Sequence, residues 1–289
     1  MKKVLYLLLF VTACKSSSQE EVDRIALIRE RVLNEDITVA YRPETFKGDI
    51  AHISEVYCRE LKAGDGYVKR DTTLKEYSFK DHRLYQIATV TKRMPYDTLT
   101  IRYDSAGRIF ELINSDDRRV IYNVDRFKYD ASGRRIEKTN RVYSTESRRS
   151  YVYNKAGDSL VVNGADGVKI KDIYIGTKED HITVTNVINA GTIVYEFDQH
   201  NQLVGIYVYE DNKASYKVTR KYDSQGNPVS WEQYTGDHMT KEGFGKMMNE
   251  ALSYATEYTY DNTGNWTMKK EQPKDKGWSG VTTRKITYR

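Results

Sequence analysis

Residues 102–109 read Arg102-Tyr103-Asp104-Ser105-Ala106-Gly107-Arg108-Ile109, and this phrase returns along most of the chain. Each copy has an aromatic marker followed in the close copies by Asp or Asn and, three residues later, by Gly. Residues 175–182 form a degenerate copy in the longest gap between clear ones. Self-similarity at a fixed interval of about 20–50 residues marks a repeat architecture. The marker aromatics are Phe79, Tyr103, Tyr129, Tyr153, Phe197, Tyr222 and Tyr260.

The phrase has the chemistry of a β-hairpin turn. Asp or Asn at the first position of a type I turn accepts a hydrogen bond from the backbone two residues on. Glycine three residues later supplies the positive φ that closes a hairpin with a bulge. The glycines predicted to fill this structural turn position are Gly107, Gly133, Gly157, Gly226 and Gly264.

The segments around the turns alternate as half-buried strands do. The marker aromatic shares a strand face with the residue two places earlier, which is apolar or aromatic in six of the seven clear copies and is Arg220 in the other. The sequence therefore predicts an all-β protein, a long antiparallel meander of hairpin repeats with well over ten strands. A twisted sheet of that size must curl or close. The pattern leaves open a barrel, a superhelical ribbon or a sandwich.

Two helices are predicted beside the sheet. Residues 19–34 show apolar side chains at helical spacing, with acidic residues in the first turn. The repeat is also stretched between Gly236 and Ser253, where Met and Leu side chains follow a helical period. We expect a small helical insertion near residues 240–252, as a plug of the sheet's open side or as a lid.

The N-terminus has the pattern of an export signal. Lys2 and Lys3 precede the apolar run Val4 to Val11, which is too short to span a bilayer. The run ends in Thr12-Ala13-Cys14, which resembles a bacterial lipobox, and this resemblance implies cleavage before Cys14 and a lipid on that residue. The predicted organisation is a signal peptide over 1–13, then the lipidated Cys14, a polar tether and the helix over 14–36, and a β domain over 37–289.

The Tyr-Asp-x-x-Gly phrase resembles the YD repeats of the RHS family. Together with the lipobox, it makes residues 70–289 similar to YD-repeat lipoproteins of Bacteroidetes-type bacteria. The large RHS toxins enclose a toxin in a shell of repeats, and this chain has neither the toxin nor the length for a shell. The resemblance therefore implies a fold and not toxicity. Lys15 after Cys14 resembles lipoproteins that are sorted to the outer membrane, and the membrane face is left open.

Motifs for catalysis or metal binding do not stand out in the sequence. The five His residues are scattered, and the many Asp residues belong to turn phrases. Neither a nucleophile elbow nor a phosphate-binding Gly-rich loop occurs. We therefore expect a protein that is not an enzyme, with no cofactor and no metal site. A net charge of +5 is too small to argue for nucleic acid.

Paired arginines recur in three successive hairpin segments, and alternation would send one of each pair to either face. Such a row beside Tyr rings suits planar anions and sugars, whereas a charged edge that keeps the sheet soluble is the plainer interpretation. The predicted surface for an anionic partner comprises Arg118, Arg134, Arg148, Tyr122, Tyr143 and Tyr151.

Two functions follow from these observations. The first is a lipid-anchored envelope protein whose non-catalytic repeat scaffold binds an envelope glycan or a protein partner. The second is a carrier that holds a lipid or small ligand in a curved half-barrel. An interior dominated by Leu, Ile and Phe would favour the carrier, and the deciding observation is whether the sheet encloses an apolar cavity of about 300 Å³ or more. The repeat instead places Tyr and charged residues in the sheet, which favours the binding protein.

Overall fold

The computed structural model describes residues 21–33, 46–63, 66–91, 97–178, 180–188, 191–210, 213–240, 249–273 and 278–289. Cys14 lies outside these ranges, as do the signal peptide and the tether. The helix expected over residues 19–34 is present as α1, residues 21–33.

All the other described elements are strands. They are β1 (Ile50–Ala63), β2 (Gly66–Lys80), β3 (Arg83–Thr91), β4 (Asp97–Tyr103), β5 (Ile109–Asp116), β6 (Ile121–Tyr129), β7 (Arg135–Val142), β8 (Thr145–Tyr153), β9 (Ser159–Asn163), β10 (Lys169–Lys178), β11 (His181–Ile188), β12 (Gly191–Phe197), β13 (Leu203–Glu210), β14 (Lys213–Tyr222), β15 (Pro228–Thr240), β16 (Asn249–Tyr260), β17 (Trp266–Pro273) and β18 (Trp278–Tyr288).

The strands form one closed antiparallel barrel. Each strand pairs with the next in sequence, from β1–β2 through β17–β18. The last strand then pairs with the first, and Ile53 lies opposite Ile286. The all-β meander predicted from the repeat is confirmed, and of the shapes left open the barrel is the one that forms. Closure leaves the 18-stranded sheet without an unpaired edge.

The helix predicted near residues 240–252 is wrong at both ends of that segment, where the structure has strands. Thr240 is the last residue of β15, and residues 249–252 open β16. Residues 241–248 lie outside the described part of the chain. The Met and Leu spacing in this segment also fits strands, because a short apolar run does not separate the two periods.

The repeat phrases all lie at one end of the barrel, which we call the repeat-turn end. In the turn between β4 and β5, the Gly107 N–H donates to the Asp104 carbonyl over 3.0 Å, and the Arg108 N–H donates to Asp104 Oδ1 over 2.9 Å. The five predicted turn glycines have positive φ, namely Gly107 (82°), Gly133 (79°), Gly157 (78°), Gly226 (81°) and Gly264 (84°).

Side chains connect each repeat turn to the next repeat. Arg108 donates to Asp104 through Nε over 2.8 Å, and its guanidinium carbon lies 4.7 Å from the ring centre of Tyr129 in the following copy. Arg134 repeats this arrangement with Asp130 and Tyr153. The marker tyrosines also donate to backbone carbonyls of the preceding copy, as Tyr103 to Leu84, Tyr129 to Ile109, Tyr153 to Arg135 and Tyr222 to Leu203.

The repeat-turn end is covered by the chain that precedes β1. In α1, Arg24 donates to Asn201 Oδ1 over 3.0 Å and to the Asp198 carbonyl over 3.1 Å. Further along the chain, Lys47 exchanges two hydrogen bonds with the Asn265 side chain, at 2.8 and 2.7 Å. Asp198, Asn201 and Asn265 all belong to turns at this end, so two segments cap it.

Two apolar clusters fill the lumen near the repeat-turn end. In the first, Ile28, Val32 and Leu33 of α1 pack on inward side chains of β8–β12, among them Val184. In the second, Ile53, Tyr77, Leu84, Ile87, Ile101, Leu112 and Phe127 pack together on β1–β6. The residue two places before a marker aromatic points into the lumen, as Tyr77 opposite Ile87 and Ile101 opposite Leu112 show.

Candidate functional site

A cavity of about 590 Å³ lies inside the barrel against the inner wall of β2–β8. Its floor is apolar, with Ile87, Leu99 and Leu112. Its walls are polar and reach the opposite, far end of the barrel, where β4 begins at Asp97. The polar residues that line it are Lys75, Thr89, Asp97, Asn114, Asn123, Asp125, Lys138, Asn140, Ser147 and Arg149.

Strand alternation explains this change from apolar to polar. Phe127 is buried near the repeat-turn end of β6, and the same inward face continues through Asp125 to Asn123. On the next strand, Lys138 lies opposite Phe127 and Asn140 lies opposite Asp125. The inward face therefore changes character partway along each strand, while its period of two is kept.

A hydrogen-bond network holds the polar wall in place. Asn140 Nδ2 donates to Asn123 Oδ1 over 2.7 Å and to Asp125 Oδ1 over 2.8 Å. Lys138 Nζ lies 3.4 Å from the same Asp125 oxygen, and both side chains of this ion pair are more than nine-tenths buried. Amides and carboxylates arranged in this way offer both donors and acceptors to a ligand.

Tyr122 and Asp97 stand at the far end of the cavity. Tyr122 is the extra residue of a bulge between the pairs Asn114–Asn123 and Ser115–Ile121. Its hydroxyl donates to Asp97 Oδ1 over 2.5 Å. Burial, and then the hydrogen bond to Asp97, raise the pKa of Tyr122 above its usual range. The phenol therefore stays protonated and acts as a donor.

A second cavity of about 280 Å³ adjoins the β14–β18 wall, and Lys75 lines both cavities. The guanidinium of Arg284 lies 3.3 Å from the ring centre of Trp266, and its Nε donates to Glu55 Oε2 over 2.8 Å. Tyr77 donates to the other oxygen of Glu55 over 3.3 Å. Burial and the Glu55 charge raise the pKa of Tyr77. The remaining polar side chains of the lining are Arg220, Tyr222, Asn227, Tyr258, Lys269 and Thr282.

The structure does not gather the predicted arginine row. Arg134 lies at the repeat-turn end, where it binds Asp130 and stacks on Tyr153. Arg118 lies in the β5–β6 loop at the far end, where its N–H donates to Asp116 Oδ1 over 3.0 Å. Arg148 lies on the outer wall of β8 and is paired with Glu137.

The predicted tyrosines are also dispersed. Tyr151 is buried in the lumen, while Tyr122 and Tyr143 lie at the far end with ring centres 6.3 Å apart. The anionic-partner surface is therefore not assembled from these six residues. The reason is the meander itself, because successive turns alternate between the two ends and successive side chains alternate between inside and outside.

The outer wall of β4–β8 is instead a set of compensated charges. Glu111 accepts from Arg102 over 2.7 Å and from Arg126 over 2.8 Å. Glu137 binds Lys128 over 2.8 Å and also binds Arg148. Each carboxylate is thus shared by two cations on neighbouring strands, and these contacts account for four of the twelve Lys and Arg side chains of residues 101–150.

The polar wall that Asn123, Asn140 and Asp125 form, which we call the asparagine wall, was not predicted from the sequence. A usable signal was present, because residues four and six places before a marker aromatic share its face. Before Tyr129 these residues are Asp125 and Asn123, and before Tyr153 they are Arg149 and Ser147. Extending the inward face beyond Phe127 and Tyr151 would have placed polar groups in the lumen.

Across the described ranges, no group of three or more His, Cys, Asp or Glu side chains is arranged to hold a metal ion. In that same part of the chain, no helix has both the length and the apolar character to cross a membrane.

The sequence matches no protein-family model and no curated protein. Among solved structures, it is similar to a porin-like protein from Bacteroides uniformis, with 10% identity and a TM-score of 0.40 over 84% of this chain and 99% of that one. It is also similar to TcdB2-TccC3, with 13% identity and a TM-score of 0.31 over 73% of this chain and 13% of that one. A third is a domain assigned to outer membrane lipoprotein sorting in Vibrio parahaemolyticus, with 6% identity and a TM-score of 0.22 over 82% and 86% of the two chains. The likeness is distant.

Proposed function

We propose that this chain is a non-catalytic binding protein that holds a small polar ligand, such as a saccharide, inside its barrel. The observation that carries this proposal is the cavity of about 590 Å³ with its Asn123–Asn140–Asp125 network. Ligand pockets occupy about 300–1,000 Å³ and combine an apolar lining with a few fixed polar groups. The cavity has that size, and its lining combines an apolar floor of Ile87, Leu99 and Leu112 with a larger number of fixed polar groups.

The lining favours a polyhydroxyl ligand over an acyl chain. An acyl chain would leave the buried amides and carboxylates beside it without a ligand partner, and burying polar groups unpaired is costly. The carrier alternative also expected a half-barrel sheet, whereas β18 closes the ring on β1. A carrier of apolar lipid is therefore the weaker candidate.

The cellular place of this function is part of the proposal. The run Val4 to Val11 with Thr12-Ala13-Cys14 supports export and a lipid anchor on Cys14 in the outer membrane. Metabolic labelling with a palmitate analogue should tag the wild type and not Cys14→Ser. Equal labelling of the two proteins would refute the anchor.

A relationship to YD-repeat lipoproteins also remains a proposal. The repeat phrases support it, since they occupy equivalent turns at one end of the barrel and are joined by the same Asp–Arg–Tyr contacts. From the sequence, an envelope glycan is one expected partner, and a saccharide bound in the lumen agrees with that expectation.

Native mass spectrometry of protein purified from its own envelope tests the binding function. Asn123→Trp fills the cavity, and Arg141→Trp places the same ring on the exposed outer face of the neighbouring strand. We expect a bound small molecule on the wild type and on Arg141→Trp but not on Asn123→Trp. The binding function is wrong if the wild type carries no ligand, or if Asn123→Trp retains it.

A further inference from the structure

The lumen contains cations that the fold does not neutralise. Lys75 and Arg220 both line the second cavity and are half-buried. Within the described ranges, neither side chain has an ion-pair or hydrogen-bond partner. In contrast, Arg284 is paired with Glu55 and Lys269 with Glu271, at 2.8 and 2.7 Å.

Arg220 breaks the pattern of its own repeat. It occupies the inward position two residues before a marker aromatic, where the other clear copies have Tyr77, Ile101, Phe127, Tyr151, Tyr195 and Tyr258. Those side chains face the lumen and contribute to its packing. An arginine at this position costs packing, and the structure of the repeat does not require it.

A second inward arginine shows how the fold treats such an exception. Arg135 stands where the preceding and following copies have Ile109 and Leu160, and its side chain is only 1% exposed. It binds Glu30 Oε2 over 3.1 Å and the Leu33 carbonyl over 3.3 Å. The α1 helix therefore supplies a partner for Arg135, whereas the described chain supplies none for Arg220.

The shared lining places these cations next to the proposed ligand site. Lys75 lines the larger cavity with Asn123 and Asn140 and lines the smaller one with Arg220. The aromatic side chains of Trp266 and Tyr258 border the same small cavity. A ligand seated against the asparagine wall can therefore extend past Lys75 toward Arg220.

We propose that Lys75 and Arg220 bind an anionic group of the ligand, so that the lumen selects an acidic saccharide over a neutral one. This inference rests on the proposed binding function and narrows its ligand class. Withdrawing unpaired charges from water is unfavourable, and a carboxylate, sulfate or phosphate between them restores the balance. Arg220 can hold such a group through two parallel N–H donors, with Lys75 as a point charge beside it.

Calorimetric titration with trigalacturonate and with neutral galactotriose tests the selection. We expect the wild type to bind the acidic trimer at least about tenfold more tightly, since a hydrogen bond to a charged group contributes that much. Lys75→Gln/Arg220→Gln should remove the preference, because it weakens binding of the acidic trimer far more than binding of the neutral one. Lys221→Gln is the matched control, because this cation is exposed and lies next to Arg220 on the opposite face.

The outcomes separate this inference from the binding function. Equal affinity of the wild type for the two trimers, or a preference that survives in the double variant, overturns the anionic site and leaves a neutral binding barrel. If neither trimer binds, sodium sulfate is the deciding probe at constant ionic strength. A sulfate-dependent rise in melting temperature that the double variant loses and Lys221→Gln keeps supports the site, and an equal rise in all three refutes it.

Discussion

The hydroxyl of Tyr103 donates a hydrogen bond to the backbone carbonyl of Leu84, across 2.8 Å and from one repeat to the one before it. Tyr129, Tyr153 and Tyr222 form the same bond to their preceding copies. The carbonyls that follow the bulged turns thereby gain a partner inside the barrel. This role accounts for part of the excess of 24 Tyr over 7 Phe, since Phe could fill the space and could not make the bond.

Tyr103→Phe should lower the free energy of unfolding by about 1 kcal/mol. The ring and its contact with Arg83 remain, and the hydrogen bond to Leu84 is lost. Urea denaturation of the purified protein measures the change. Tyr143→Phe is the control, because that side chain is 70% exposed at the far end and its loss should change stability by less than about 0.5 kcal/mol. Equal effects of the two substitutions would contradict the role given to the bond.

Two glycines with positive φ should respond differently to alanine. At Gly133 a new Cβ meets only Arg108 Nη1, at 3.7 Å, so Gly133→Ala should cost about 1–2 kcal/mol from left-handed strain alone. At Gly191 the Cβ would lie 2.2 Å from the Tyr209 carbonyl oxygen, so the backbone of two strands must move apart. Thermal unfolding should show the larger loss for Gly191→Ala. A loss as large for Gly133→Ala would show that the close approach of the Tyr209 carbonyl at Gly191 does not set the difference between the two sites.

Glu30→Gln should destabilise the protein by about 3 kcal/mol, because it removes the carboxylate that lies 3.1 Å from the buried Arg135 guanidinium. Glu21→Gln is the matched control, since Glu21 is exposed on the same helix. Adding Arg135→Met to Glu30→Gln should restore most of the loss, and limited proteolysis within α1 should follow the same order. A double variant as unstable as Glu30→Gln would show that the buried charge is not the cause.

Asp130→Asn should reduce the change in the free energy of unfolding that the protein shows between neutral and acidic pH. Burial by itself would raise the pKa of Asp130, but hydrogen bonds from the Arg134 backbone and guanidinium lower it below its usual range. A lowered carboxyl pKa stabilises the fold above the unfolded value of about 3.9, and the contribution disappears as pH falls through the folded pKa. The free energy of unfolding of the wild type should therefore be larger than that of Asp130→Asn by roughly 0.5–1.5 kcal/mol at pH 7. The gap should close in urea titrations below about pH 4, and a gap that is constant with pH would exclude this linkage.

The local parts of the fold could be predicted because their causes are local. The Asp104 side chain, the Gly107 N–H and the Arg108 N–H lie within five residues of one another, so the phrase specifies its own turn. Barrel closure depends instead on pairs such as Glu55 with Arg284, separated by 229 residues. Composition and period do not encode which distant strand will meet β1.

The arginine row could not be predicted correctly for a related reason. Arg118 and Arg134 are sixteen residues apart in sequence, yet a single strand places them at opposite ends of the barrel. A repeat pattern shows which residues are equivalent only once each turn has been assigned to one end of the barrel or the other. The polar lining of the cavity could be predicted in part, because Asn123 shares a strand face with Phe127. The prediction also requires knowing which face of the sheet becomes the inside of the barrel.

Because β18 pairs with β1, the set of neighbouring strands in the barrel does not depend on which strand comes first in the chain. The Arg289 N–H donates to the Asp49 carbonyl over 2.9 Å, and α1 caps the same end of the barrel. A linker joining these neighbouring ends, with a new opening in a far-end loop such as that between β13 and β14, keeps every other strand beside its present neighbours. Because the eighteen strands form a closed ring, circularly permuted chains that start at different strands should keep the same strand pairs and therefore the same fold.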